Sequence, residues 1–445
     1  MKNVTLENHA SHGSRGSMNM LRLYLIIAGT IILGWLPVRA GWCAVYYVNN
    51  SVACGDSWEG SESRPWCTIQ KGAETVAPGD AVIVKPGSYN ELVVIKRSGT
   101  SEKPVTFTSE KPKAAKVSRF TLLGSHLKLD GFSVYHPSPG SAPAIANGGT
   151  SNEIRNNHCE NYPSYCIYAG GREAVIAGNL ALNSQYGIVL EGTGHRVEGN
   201  EVKGPKQWDK TQDSDYMRFF GSGHIIRGNK LHGADLGNSG SSHVDCFQTF
   251  DNDLSTWNVI IENNYCSDMH QGFIGGGQHK HASRDIIIRN NIFLNGGSWG
   301  LAVVAMKDVH AYNNTFVDIK YHGIGCDEAS SCHIKNNIFY NSGSGYWNKG
   351  KGGVGDHNLV YRSTSGYEAA VFPKDLINTD PLFVDYAKRD FRLKGGSPAR
   401  DAGVALTGFR YDIDGNPRPK GPAWDIGAFE MGPAPPPPVK LHIVQ

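Results

Sequence analysis

The chain has 445 residues, 54 of them glycine, with only 19% charged residues and a formal net charge of +2. So balanced a composition offers no overall field to steer a polyanion, which excludes nucleic acid as the expected partner. Abundant glycine with little charge suits a turn-rich β protein, and one long solenoid accommodates this length as readily as two or three compact domains.

Residues from Leu23 to Leu36 are apolar, with Arg22 before them and Val38-Arg39-Ala40 after. Such a stretch is short for a bilayer span and matches the core of a signal peptide. Residues 1–40 therefore read as an export signal, with Met18 or Met20 as the true start and cleavage after Ala40. An uncleaved N-terminal anchor is the alternative. The expected location is secreted, extracellular or cell surface, with no transmembrane span in the mature chain. Export leads to an oxidising compartment. There the nine cysteines suggest four bridges, Cys54–Cys67, Cys159–Cys166, Cys246–Cys266 and Cys326–Cys332, with Cys43 left over. No CxxC pair has the spacing of a zinc site.

Past the signal, Val45–Val48 reads as a strand. From Thr68 to Val76, Ile69, Ala73 and Val76 fall on one face of a short helix. A small amphipathic helix is a suitable lid for the open apolar end of a solenoid. Strands are expected again at 81–84, 92–95, 105–108 and 127–134. From residue 154 a repeat takes over, in IRNN, IAGN, VEGN, IRGN, IENN, IRNN, AYNN, IKNN and GDHN. These end at Asn157, Asn179, Asn200, Asn229, Asn264, Asn291, Asn314, Asn337 and Asn358, in steps of 22, 21, 29, 35, 27, 23, 23 and 21 residues. Short β-branched runs joined by Asn/Gly turns at a period near 22 describe coils of a parallel β-helix. Asparagine suits the repeated corner because it tolerates left-handed backbone and its amide can bond the next coil.

Two stretches then carry a resemblance. "PWCTIQKGAETVAPGDAVIVKPGSYNE" resembles the N-terminal segment of secreted pectate-lyase-like right-handed β-helix proteins. Residues 379–430, "TDPLFVDYAKRDFRLKGGSPARDAG…DIDGNPRP…WDIGAFE", resemble the choice-of-anchor Q segment that closes many bacterial surface β-helix proteins. The expected architecture is an all-β, right-handed parallel β-helix of about 10–12 coils with a short N-terminal capping helix. It should occupy residues 41–378, followed by a closing segment at 379–431 and a proline-rich, extended tail at 432–445. The resemblance fixes architecture more firmly than reaction, since this fold carries lyases, hydrolases, epimerases and adhesins.

Three consecutive ladder steps are long, those from Asn200 to Asn291. Neighbouring coils place such insertions side by side, so they should build one wall or cleft. The first holds Asp213, Asp215 and Arg218; the second holds His243, Asp245 and Gln248; the third holds His270, Gln271 and Lys280 within His279-Lys280-His281. Aligning coils sets Asp245 level with Tyr186, Gln271, Trp299 and His322, and Gln248 level with Val189, Ile274, Ala302 and Gly325. Asp245 and Gln248 should then both face outward. The pattern HxDxxQ with a glutamine one coil later resembles a motif of other secreted β-helix proteins.

Three readings of this group stay open. His243, Asp245, Gln248 and His270 could perform acid–base work on a sugar, with Gln271, Lys280, Arg218 and Trp299 binding it. Asp213, Asp215 and Asp245 could hold a hard cation such as calcium. Or the set could be a satisfied hydrogen-bond network that pins a loop. The favoured function is a lyase acting on an acidic, uronate-containing polysaccharide, with His243 or Lys280 as base. The alternatives are a non-catalytic glycan-binding or adhesion protein and a glycoside hydrolase using Asp215 and Asp245. The inverting polygalacturonases of this fold use an Asp-Asp pair, and this chain has none. A monomer is expected, with a polysaccharide as partner.

Overall fold

A computed structural model describes residues 43–135, 142–208, 212–237, 243–250, 255–276, 283–350, 353–363 and 372–432. The expected signal at 1–40, Lys280 with its flanking histidines, and all of the proline-rich tail after residue 432 lie outside the described residues. What is described is a right-handed parallel β-helix. Among the described residues no helix is long and apolar enough to cross a membrane.

One sheet of 13 parallel strands runs from Val45–Val48 to Val354–Asp356; we call it the first face. A second sheet folds around the remaining two sides. Its strands from Ser133–Tyr135 to Leu359–Tyr361 make the second face. Those from Ile145–Asn147 to Ser344–Asn348 make the third. Each coil contributes one short strand per face because its apolar run ends at a left-handed or glycine corner. The interior stacks one residue type on its like, as in Phe293, Phe316 and Phe339, whose rings lie 5.1 Å apart in sequence. The helix expected near Thr68 spans Ile69–Thr75, is capped by the Thr68 hydroxyl, and buries Ile69, Gly72 and Ala73 against the first coils.

The nine ladder asparagines point inward and are all buried. Each amide oxygen accepts from the backbone N–H of the previous rung, as Asn264 does for Asn229 at 2.9 Å. Each amide nitrogen donates to an earlier carbonyl and to the next rung's oxygen, as Asn264 does to Ile226 at 2.9 Å and Asn291 at 3.0 Å. Asp375 ends the series by accepting from the Asn358 N–H at 2.8 Å. A buried corner that would otherwise strand backbone N–H groups is thereby satisfied coil by coil.

The residue before each ladder asparagine has positive φ and faces outward from the rod. It is Asn156 at the first rung, glycine at Gly178, Gly199 and Gly228, asparagine at Asn263, Asn290, Asn313 and Asn336, and His357 at the last. The closing segment lies back along this outer column. Asn290 donates to the Tyr411 carbonyl at 2.7 Å, Asn313 to that of Asp425 at 2.9 Å, and Asn336 to that of Val404 at 2.8 Å. Ile426, Ala428, Phe391 and Leu393 complete a small core against Val317 and Ile338. Arg418 and Glu430, both with fully buried side chains, pair at 2.8 Å inside it.

Bridges join Cys54 to Cys67, Cys246 to Cys266 and Cys326 to Cys332, with Cα separations of 5.1, 6.3 and 6.4 Å. The expected Cys159–Cys166 bridge is corrected: both remain thiols in the core. They sit on successive strands around one corner and pack as small apolar side chains. Burial, then the neighbouring Cys159, raises the Cys166 thiol well above its ordinary value.

Candidate functional site on the third face

The first two long connections enter the third face at Met217–Phe219 and Phe247–Phe250, and the third follows the strand Phe273–Gly276. Strand register puts Val189, Arg218, Gln248, Ile274, Ala302 and Gly325 in one outer row. Gln248 is thus level with the residues expected from the sequence, and Arg218 joins the row. At the entrance to these strands Asp215, Asp245 and Gln271 form a staircase. The Asp245 N–H donates to Asp215 Oδ1 and the Gln271 N–H to Asp245 Oδ1, each at 2.9 Å.

The expectation that Asp245 and Gln248 face outward is corrected in part: Gln248 does stand in the outer row, but both are covered. Asp215 and Asp245 are 0% exposed and Gln248 is 7% exposed. Gln248 Nε2 donates to Asp245 Oδ2 at 3.3 Å. The Gln271 amide is oriented with its nitrogen 2.5 and 3.2 Å from the two Asp245 oxygens. Neighbouring side chains and backbone therefore occupy the lone pairs that an alignment on strands alone leaves to solvent. The amide oxygen of Gln248, also buried, meets no donor among the described residues.

Arg218 anchors the other side. Its Nε donates to Asp215 Oδ2 at 2.5 Å, and Asp213 lies 3.6 Å from its terminal nitrogen. The guanidinium stacks 4.3 Å above Tyr186 and 5.5 Å from Phe250. It retains 14% exposure. Although burial opposes its charge, Asp215 and Tyr186 hold Arg218 above its ordinary value. Burial pushes Asp215 up to about 6 against the pull of that guanidinium. Burial, then the Asp215 charge, lifts Asp245 well above the carboxylate range. Two carboxyls so close share their titration.

These aspartates do not form a calcium cage. A guanidinium occupies the place between Asp213 and Asp215 that a cation would need, and among the described residues no three or more His, Cys, Asp or Glu side chains converge as ligands.

His243 and His270 stand at the rim with ring centroids 5.5 Å apart. His243 is exposed, and its backbone N–H donates to Asp213 Oδ1 at 3.1 Å. His270 Nδ1 accepts from the Val244 N–H at 3.0 Å, so the neutral ring carries its proton on Nε2. Burial, then His243, lowers its pKa and keeps it neutral.

Further along the face Trp299 lies flat over Gly325, where a Cβ would come within 1.7 Å of the indole. Only glycine admits that contact. Trp299 also meets His322 at 4.9 Å and Trp347 at 6.1 Å between ring centroids. The structure thus brings together Arg218, Asp213, Asp215, Asp245, Gln248, Gln271, His243 and His270, with Trp299 one coil on. Tyr186 and Phe250, the rings that hold Arg218, were not singled out as site residues; the alternation that set Tyr186 level with Asp245 was their one signal.

Comparison with known proteins bears on the fold. Residues 183–364 match the family described as "Right handed beta helix region". A protein of Bacillus subtilis (strain 168) described as "Uncharacterized protein YwoF" is 24% identical over 438 residues, covering 78% of this chain and 90% of its own. The crystal structure of pectate lyase Pel9A superimposes with a TM-score of 0.60 at 17% identity, over 87% of this chain and 96% of that one. The structure of XylC in complex with xylose gives a TM-score of 0.51 at 11% identity, over 88% and 99%. At these identities the superpositions establish the β-helix alone.

Proposed function

We propose that this protein is an exported, carbohydrate-active β-helix that cleaves an acidic polysaccharide by β-elimination along its third face. The observation that carries the reading is Arg218, a cation fixed by two aspartates on an outer row, beside two histidines and an orphaned amide oxygen. A uronate carboxylate meets Arg218, which neutralises it and makes the C5 proton removable. His243 accepts that proton, the C4–C5 double bond forms, and the C4–O bond breaks with a proton going to the leaving oxygen. His270 offers its Nε2–H to the sugar, and Gln248 accepts from a hydroxyl. Asp245 is reassigned as a positioning group that holds Gln271 and Gln248. Pel9A is described as a pectate lyase and XylC as bound to xylose; both support a carbohydrate ligand, and of the two only pectate is acidic. Three disulfide bridges support export; an N-terminus at Gly41 in material from the native host would agree with it, and intact residues 21–40 in a membrane fraction would not.

A binding role without chemistry is the second reading, favoured by the burial of Asp245. A hydrolase is disfavoured, since neither Asp215 nor Asp245 reaches solvent to direct a water. The deciding experiment incubates the protein with a panel of acidic polysaccharides and follows unsaturated-uronate absorbance and new reducing ends. His243→Ala should remove about 10²–10⁴-fold of the rate with an unchanged melting temperature. Binding with neither product signal on any substrate would establish the second reading.

A further inference from the structure

A cleft of about 990 Å³ separates the outer asparagine column from the closing segment. It lies on the far side of the first-face corner and includes neither Arg218 nor Asp245. Three asparagines of that column, Asn290, Asn313 and Asn336, are engaged by closing-segment backbone. Asn263 is the next rung, with the same left-handed backbone at φ 56°, and it lines the cleft instead. Its amide oxygen is buried yet meets no donor among the described residues. Arg418 lines the same cleft only through its backbone, since its side chain is fully buried against Glu430. The wall at Asn263 thus lacks a donor, which is the unmet demand of a bound polar molecule.

The rest of the lining says which kind. Tyr411 is 59% exposed, and Phe409 stands beside it with Arg289 stacked 4.7 Å from its ring. Exposed aromatic faces in a wet cleft suit the apolar face of a pyranose. Arg289 is committed to Glu262 at 2.6 Å and Arg227 to Glu198 at 2.9 Å. Arg410 is exposed and makes no ion pair among the described residues, so it is the cation available to a carboxylate.

We infer that this cleft is a second saccharide-binding site, which takes a short acidic oligosaccharide. A hydroxyl donates to Asn263, the ring face lies on Tyr411, and the carboxylate meets Arg410. The site is independent of the chemistry proposed for the third face, although both would accept the same polymer.

The test is isothermal titration of the full chain with a galacturonic acid trisaccharide and with neutral xylotriose. Wild type should show a component weakened at least tenfold by R410A together with Y411A, two exposed changes that leave the melting temperature in place. The same component should survive His243→Ala, and xylotriose should bind at least tenfold more weakly. Asn263→Gly, which removes the acceptor and suits the left-handed backbone, should weaken it as well. Unchanged trisaccharide binding in the R410A/Y411A chain would overturn the inference. So would xylotriose binding as tightly as the acid, or competition by inorganic sulfate at equal concentration. Loss of elimination in His243→Ala with this component intact separates the two proposals.

Discussion

The asparagine ladder and the carboxylate cluster of the third face are both polar and both buried, yet one recurs in every central coil and the other spans three. Each ladder rung is neutral and fully bonded to its neighbours, so it satisfies the backbone at little electrostatic cost. The cluster sets Arg218 in the row where other coils place Val189, Ala302 and Gly325, with Asp213, Asp215 and Asp245 gathered at the strand entrances beside it. A coil therefore closes without any of those charges. Burying them opposes folding, and breaking a buried pair is costly without the pair being a large net gain. Polar groups that the repeat requires and polar groups that it merely tolerates can be told apart in this way, and the second kind marks the site.

Mutations sharpen the contrast. The largest effect belongs to Arg218→Ala, expected to reduce turnover of an acidic polysaccharide about 10²–10³-fold, like the loss of one preorganised electrostatic donor. Steady-state kinetics checks it, and retained turnover would detach the cluster from catalysis. Asn264→Ala strips the Asn229 N–H of its acceptor and the Ile226 carbonyl of a donor. It should cost about 3 kcal/mol in chemical denaturation, with no change in substrate preference. Asp245→Ala leaves the Gln271 N–H unpaired and should cost about 2 kcal/mol; Asp245→Asn, which keeps the shape, should cost about 1 kcal/mol or less.

The remaining test is pH dependence. Asp215 rises from an ordinary 3.8 to about 6 in the folded protein. The native state then holds this proton more tightly than the unfolded chain does. Its contribution to stability is present below about pH 4 and is lost as pH climbs through about 6. Melting curves of wild type and Asp215→Asn should therefore diverge across pH 4–6, wild type losing ground as pH rises. Parallel curves would mean that Arg218 keeps Asp215 ionised throughout.

The ladder was legible in the sequence because inward asparagines recur at a spacing that one coil imposes. The row containing Gln248 was legible for the same reason, since alternation along Phe273–Gly276 and Leu301–Val304 fixes which residues lie outward. Arg218 escaped that row because the long step from Asn200 to Asn229 hides where its strand begins. The burial of Asp245 escaped because it depends on which groups neighbouring coils bring over it, and a strand alignment carries no such information. The first asparagine of each late pair looked like a turn former only. That Asn290, Asn313 and Asn336 also clamp residues 404–425 follows from contacts more than 60 residues distant in sequence, as between Asn336 and Val404 at 68.

That clamp changes how the rod bears load. A solenoid whose last coil simply ends can be peeled from that end, one strand at a time, under a force that meets a single row of hydrogen bonds. Here a pull on residue 432 first meets Arg418 and Glu430 and the asparagines of three separate coils, arranged along the axis. These bonds are strained together, in shear, before any coil can open. The last quarter of the rod should accordingly yield as one unit under tension, and its mechanical threshold should be set by the side of the solenoid instead of by its tip.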